Sequence, residues 1–250
     1  MATSNHPDRV LTVLRWPVGI AIVSWRYMWR TTPVHRSEEP GGPADLPGKI
    51  LDESVQGPDY QTFADGSGQL LHRRYMVRIA GSQLDPAQLM SLVTGNLNRA
   101  VPEMAVFRKT RGQGGGLHSP GDEFVVRMPG PWDGPVRVVH RDDTSFRLAT
   151  LPGHLEAGQI EFRAARDGEA LNFEIESWAR AGDRLADLLY NRLRLAKEIQ
   201  LNMWSHFCLR VAAMAGGRPQ GGITIRTRVL TWPPAALSRP GPALIQVPGG

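Results

Sequence analysis

Residues 159–178 read QIEFRAARDGEALNFEIESW, and their alternation decides the fold. Ile160, Phe162 and Ala164 fall on one side of an extended chain and Glu161 and Arg163 on the other, because successive strand side chains point to opposite faces. Beyond the turn Ala165-Arg166-Asp167-Gly168 the pattern resumes: Leu171, Phe173 and Ile175 oppose Asn172, Glu174 and Glu176. The two runs form a hairpin with one apolar and one wet face. The apolar face needs a cover, and the next segment supplies it. Asp183 to Ala215 contains neither proline nor glycine, and Leu185, Leu188, Leu189, Ala196, Ile199, Met203, Phe207, Val211 and Met214 recur at helical spacing. Asp183 suits an N-cap and Gly216-Gly217 ends the helix. At 1.5 Å per residue the helix runs about 50 Å, enough to cross a whole sheet.

Working outward, Tyr75, Val77 and Ile79 alternate with Met76 and Arg78 as a first strand. Asp85-Pro86-Ala87-Gln88 follows, with an N-cap, a proline at the first helical position and a capping-box glutamine. Leu89, Leu92, Val93 and Leu97 are the expected buried stripe of that short helix. Six strands are then predicted, over 104–110, 123–128, 136–140, 145–150, 159–165 and 170–178, with Gly, Pro and Asp between them. The fold class is α+β, a helix-grip: a curved antiparallel sheet of about seven strands wrapped on a long C-terminal helix, with one short helix after the first strand. The domain is expected over 72–217. It is flanked by an amphipathic Trp/Arg-rich segment (1–36), a Pro/Gly-rich linker (37–71) and a poorly ordered, basic Pro/Gly-rich tail (218–250) with one strand-like run, 223–230.

Charge narrows the function. The net charge is +5, and only three of the 29 basic residues are lysines. Residues 82–217 carry 16 basic and 16 acidic side chains, whereas 218–250 carries four basic and none acidic. A nucleic-acid partner is not expected, because phosphate neutralisation needs positive charge on the folded surface. The single cysteine, Cys208, forms no intrachain disulfide and offers no cysteine-based metal site, and a cytoplasmic setting is expected. Neither a cofactor nor a metal is expected, and no secretory signal is read. In Val10–Trp29 the apolar run Trp16–Trp25 is half the length of a membrane span. Arg15, Arg26 and Arg30 fall near one another on a helical projection, with Trp16, Trp25, Tyr27 and Trp29 around the rest. Residues 10–30 read either as a helix packed on the domain or a dimer partner, or as a helix lying on the inner membrane surface.

Four constellations carry candidate chemistry. In Pro152-Gly153-His154-Leu155-Glu156, His154 and Glu156 form an acid/base pair or, equally, a turn whose histidine binds its own neighbours. In the rigid hairpin 128–135, Trp132 closes a cavity mouth or packs on the surface. Lys109 and Arg111 precede the glycine-rich run 112–116 and are the anion-binding candidates, although the glycines lead into no helix. Glu161, Glu174 and Glu176 with Arg163 and Arg180 read as cross-strand ion pairs on a solvated face rather than as paired catalytic carboxylates. A ligand held between sheet and helix would meet Phe162, Phe173, Ile175, Ile199, Met203 and Phe207.

The stretch from Phe146 to Phe162, followed by 173–180, resembles the domain-of-unknown-function family nineteen-ninety through Thr150, Leu151, Gly153, His154, Glu156, Gly158 and Phe162. It departs from that pattern at Leu155, where the family has proline, and at Gln159-Ile160, where it has acidic residues. The architecture is similar to the START/SRPBCC superfamily, and this resemblance implies a cavity for apolar ligands. Fold alone does not fix function. The leading expectation is non-enzymatic binding or carriage of a hydrophobic small molecule or lipid. The alternatives are a cyclase- or hydrolase-like enzyme using His154 and Glu156, and an interaction module.

Overall fold

The computed structural model describes residues 32–46, 59–103, 105–127, 133–182 and 195–231, with side chains in the last stretch from Gln200 onward. Among the described residues, nine strands form one sheet: β1 (Val34–Pro40), β2 (Ser67–Ala80), β3 (Val106–Arg111), β4 (Glu123–Arg127), β5 (Asp133–Arg141), β6 (Ser145–Thr150), β7 (Glu156–Asp167), β8 (Ala170–Ala181) and β9 (Arg218–Leu230). Their order across the sheet is β1-β9-β2-β8-β7-β6-β5-β4-β3. The described helices are α1 (Pro86–Gly95) and α2 (Leu195–Met214). β7 and β8 form the predicted hairpin, with Phe162 opposite Ile175 and Ala164 opposite Phe173, but the turn is Gly168-Glu169, because Ala165, Arg166 and Asp167 still pair with Asn172, Leu171 and Ala170.

The sheet exceeds the seven predicted strands at one flank, and it is mixed rather than wholly antiparallel. β9 arises from the segment read as tail and β1 from the junction of the amphipathic segment with the linker, and these two pair in parallel. β2 therefore has a neighbour on each side. Tyr75 sits between Ile175 and Ile225, and Val77 between Phe173 and Ile223, so each core row runs across three strands. Without β9 the fourteen-residue β2 would be a long open edge, which proteins seldom leave exposed. Register shifts interrupt β2, β3 and β5, and such bulges bend and twist strands.

α2 covers the core face, packing on β2, β8 and β9. Its end is a Schellman motif. Gly216 takes φ 66°, Gly216 N–H donates to Ala213 O at 3.0 Å, and Gly217 N–H to Ala212 O at 3.2 Å. The Ser82 hydroxyl donates to Ala215 O at 2.8 Å and ties this end to the loop after β2. α1 has the predicted capping box, Gln88 N–H to Asp85 Oδ1 at 2.8 Å and Asp85 N–H to Gln88 Oε1 at 2.9 Å. Its buried stripe differs by one residue: Leu92 is exposed and Met90 is buried instead.

Rings fill most of the space between α2 and the sheet. Phe162 stacks on Phe146 at 4.5 Å and meets Phe207 and Trp204 at 5.3 Å each. Phe173 lies 6.0 Å from Phe207. Among the described residues no helix is long and apolar enough to cross a membrane.

Because Phe207 is fully buried between these rings, Phe207→Ala is expected to cost about 3–5 kcal/mol in urea unfolding. Val106→Ala, at an exposed site on β3, is expected to stay within about 0.5 kcal/mol.

Candidate functional site

Beneath the first described turns of α2 the rings leave a void of about 60 Å³. Phe107, Val126, Leu148, Ile160, Met203 and Trp204 belong to its apolar wall, and Thr150, His154, Glu156, Gln159, Ser177 and Gln200 are its polar residues among the described ones. The sheet register places most of these polar groups at one end. β6 ends at Thr150, β7 begins at Glu156, and the turn between them carries His154. Gly158, at φ 155°, lets the backbones close here, since a Cβ would lie 2.0 Å from Trp178 O.

The turn holds the His154 ring by one nitrogen. Glu156 N–H can only donate, and it does so to His154 Nδ1 at 2.8 Å. Glu156 O lies 3.0 Å from the same nitrogen, so both backbone groups of Glu156 hold Nδ1. The ring is densely surrounded, although part of it reaches solvent. Burial holds its pKa below the ordinary 6.5, outweighing the opposing influence of Glu156. The Glu156 carboxylate turns elsewhere, accepting from Gln200 Nε2 at 2.6 Å. His154 and Glu156 thus share a mouth but not a side-chain hydrogen bond.

Behind Gln200 stands Arg73, which is buried on the core face of β2 and donates through Nη1 to Gln200 Oε1. Tyr75 lies on the same face of β2, and burial pushes its phenol up to about 12, so it stays protonated. Gln61 clamps the turn from outside. Its Nε2 donates to His154 O and Glu156 O at 2.9 Å each, and its Oε1 accepts from Gly153 N–H at 3.1 Å.

These contacts redraw the predicted ligand set. Of the six residues expected between sheet and helix, Met203 lines the void. Phe162, Phe173, Ile175 and Phe207 are buried in the core cluster, because rings of their size fill the gap against one another. Ile199 and Trp132 lie outside the described side chains, as residues 10–30 lie outside the described residues. Arg73, Gln200, Trp204 and Gln61 were missed. Gln200 and Trp204 carried a signal: with Phe207 and Val211 they stand at i, i+4, i+7 and i+11, one stripe of α2.

The anion reading of Lys109 fails on donor count. Its ammonium has three protons, and they go to Gln113 O at 2.6 Å, Gly116 O at 2.8 Å and Asp122 Oδ2 at 2.9 Å. The glycine-rich loop is wrapped on a buried ion pair. Gly112 is required there, with φ 108° and a Cβ position only 1.9 Å from Asp122 Oδ1. Burial raises the Asp122 pKa, but the hydrogen bonds from His118 N–H, Lys109 and Ser119 N–H carry it below the ordinary carboxylate value. A larger trough of about 1080 Å³ next to this loop is open to solvent and includes Tyr60, Arg111, His118 and Arg137. Both of its guanidinium groups already face Glu123, Arg137 at 2.8 Å and Arg111 at 3.4 Å. The void under α2 is the more enclosed of the two.

On the opposite face of the sheet the carboxylates are ion-paired. Glu174 meets Arg74 and Arg163, and Glu176 meets Arg163 at 2.7 Å and His72 at 2.7 Å. Glu161 pairs with Arg147 at 3.4 Å. Arg180 leaves this group to donate to Phe63 O at 2.7 Å and Gly68 O at 3.1 Å. Burial raises the Glu176 pKa, but the hydrogen bond from His72 and the charges of Arg163 and Arg74 hold it below its ordinary value. Among the described residues no group of His, Cys, Asp and Glu is arranged to hold a metal.

Residues 99–233 match the family described as Domain of unknown function (DUF1990), over more than half of the chain. No curated protein matches the sequence. Similar solved structures include a protein from Thermobifida fusca, at 16% identity and TM-score 0.40 over 57% of this chain and 94% of that one. A hypothetical protein from Helicobacter pylori gives 10% identity and TM-score 0.43 over 57% of this chain and 86% of that one. Norcoclaurine synthase from Thalictrum flavum gives 11% identity and TM-score 0.40 over 64% of this chain and 95% of that one.

Replacing His154 tests its role as hairpin staple. His154→Ala leaves Glu156 N–H without its acceptor and is expected to cost about 1–2 kcal/mol at pH 7.5 in urea unfolding. With a folded pKa below 6.5, the unfolded chain binds the His154 proton more readily. The histidine's contribution is therefore complete above 6.5 and falls as the pH drops through 6.5 toward the folded value. The stability gap between wild type and variant is expected to narrow from pH 7.5 to pH 5.5; a widening gap would mean the ring is charged in the fold.

Proposed function

We propose that this chain, which belongs to the DUF1990 family of unknown function, binds and carries a small hydrophobic molecule in the void between its sheet and α2. The observation that carries the reading is an apolar-walled void with its polar groups gathered near one end, His154, Glu156 and Gln200. Pockets of that make-up orient a guest by a few polar contacts while apolar surface supplies the affinity.

Size sets the mode of entry. Sites for drug-sized molecules run to about 300–1,000 Å³, so a void of about 60 Å³ takes a larger guest only by yielding wall. Met203 is the wall residue suited to this, since an unbranched thioether repacks with little strain. The acid/base alternative draws less support. His154 is neutral and held by Glu156 N–H, and the carboxylate of Glu156 is committed to Gln200. A lipid acyl chain is the longer guest of the same class. In this proposal residues 10–30 bring the protein to a membrane surface, where such a molecule is collected.

Protein purified from its own host and sprayed under native conditions is expected to carry a non-covalent adduct that organic solvent removes. An adduct-free spectrum would reject carriage. Ala179 lines the void. Ala179→Leu is expected to abolish retention while lowering stability by about 1–3 kcal/mol. Separately, deletion of residues 1–30, which leaves β1 whole, is expected to reduce co-sedimentation with vesicles of phosphatidylcholine and phosphatidylglycerol; unchanged partition would remove the membrane half of the proposal.

A further inference from the structure

Among the described strands β1 is outermost on its side of the sheet, and every residue from His35 to Pro40 is exposed. Exposed edges invite pairing with another chain. The other outermost strand, β3, is closed at its centre. Asn98 Nδ2 donates to Phe107 O at 3.0 Å and Phe107 N–H donates to Asn98 Oδ1 at 2.7 Å, so a side-chain amide stands where a neighbouring strand would pair. The direction of the β1 backbone follows from its bonds to β9. Pro33 O accepts from Ile223 N–H at 2.9 Å, and Gly41 N–H donates to Val229 O at 2.8 Å. Backbone groups alternate in direction along a strand, so the odd-numbered residues aim at β9, while Val34, Arg36 and Glu38 aim their N–H and C=O away from it.

The order of charges decides what fits this edge. Val34-His35-Arg36-Ser37-Glu38-Glu39-Pro40 carries basic residues before Ser37 and acidic ones after it, so the strand is complementary to its own reverse. About a twofold axis at Ser37, an antiparallel second copy sets Arg36 opposite the partner's Glu38 and His35 opposite the partner's Glu39. Arg36 and the partner's Glu38 are then the residues that exchange both bonds of a hydrogen-bonded pair. Pro40, which has no N–H, falls at the end of the ladder opposite the partner's Val34. The neighbouring registers place the axis at Arg36 or at Glu38 and set that residue against its own copy. Like charges directly opposite destabilise a sheet, so only the Ser37 register is favoured on both sides. We propose that β1 joins two copies of this chain edge to edge, making one sheet that runs through both. A closed twofold interface of this kind uses the same patch on each copy.

Analytical ultracentrifugation of the full wild-type chain is expected to show a species of twice the chain mass that grows with concentration. Arg36→Glu and Glu38→Arg each place like charges at both symmetric pairs, and each is expected to weaken the dimer about tenfold. Mixing the two variants is expected to restore association, because each supplies the charges the other lacks. A role for Arg36 and Glu38 within one chain would not be restored by mixing. The axis is tested separately. Non-hydrogen-bonded antiparallel pairs bring Cα atoms to about 4.5 Å, within disulfide reach. Ser37→Cys is therefore expected to cross-link two chains on mild oxidation and Arg36→Cys is not; the native Cys208 is buried and does not compete. A wild-type chain that stays monomeric at high micromolar concentration overturns the proposal. So does a dimer indifferent to both charge reversals, a pair of variants that fails to recombine, or equal cross-linking from the two cysteine positions.

Discussion

Phe207 on α2 touches Phe162 and Phe173, rings from the two strands of the hairpin that anchors the sheet. This contact sets the distance between helix and sheet, and the remaining architecture follows from it. Side chains smaller than phenylalanine would let α2 sink onto β7 and β8; as it is, the rings act as spacers. Close to Phe207 the gap is full. Toward Gln200, where the sheet supplies Leu148, Ile160 and Gly158, it opens into the void. The void is the place where spacing set by aromatic residues meets a strand with less to fill it.

The cost of burying polar groups shapes the end of this space. Arg73 on a core-facing position of β2 is an expensive choice, tolerable because its guanidinium is hydrogen-bonded. Gln200 transmits that interaction to Glu156, so a buried cation and a partly exposed carboxylate are joined through one neutral amide. The same economy appears around Lys109 and Asp122, where a loop of flexible residues is given one shape by a buried pair. In both places the chain uses ionised groups to organise irregular backbone rather than to add to a surface network.

Much of the architecture could be read from local pattern. The hairpin of β7 and β8, the capping box of α1 and the glycine stop of α2 are encoded within a few residues, and short-range rules find them. β9 shows the opposite case. Ile223 and Ile225 alternate correctly, yet their partners Val77 and Tyr75 lie some 150 residues earlier, and surrounding glycine and proline suggested a tail. The candidate site was half legible. His154 and Glu156 drew notice as a pair of chemical types, but whether they face each other depends on a hydrogen bond to Glu156's own N–H, a feature of the turn rather than of composition. Gln61 was hidden for a similar reason: a glutamine in a Pro/Gly-rich segment gives no sign that it will hold the turn more than ninety positions away.

The outermost pairing has a mechanical meaning. β1 and β9 run side by side in the same direction over seven matched positions, Val34 beside Ile223 and Pro40 beside Val229. The chain enters β1 at one end of this ribbon and leaves β9 at the other. Tension applied between the residue before Val34 and the residue after Leu230 would therefore drag the two strands past each other lengthwise. Their hydrogen bonds would resist together instead of breaking in succession, so the flank with the fewest neighbours is built to withstand pulling.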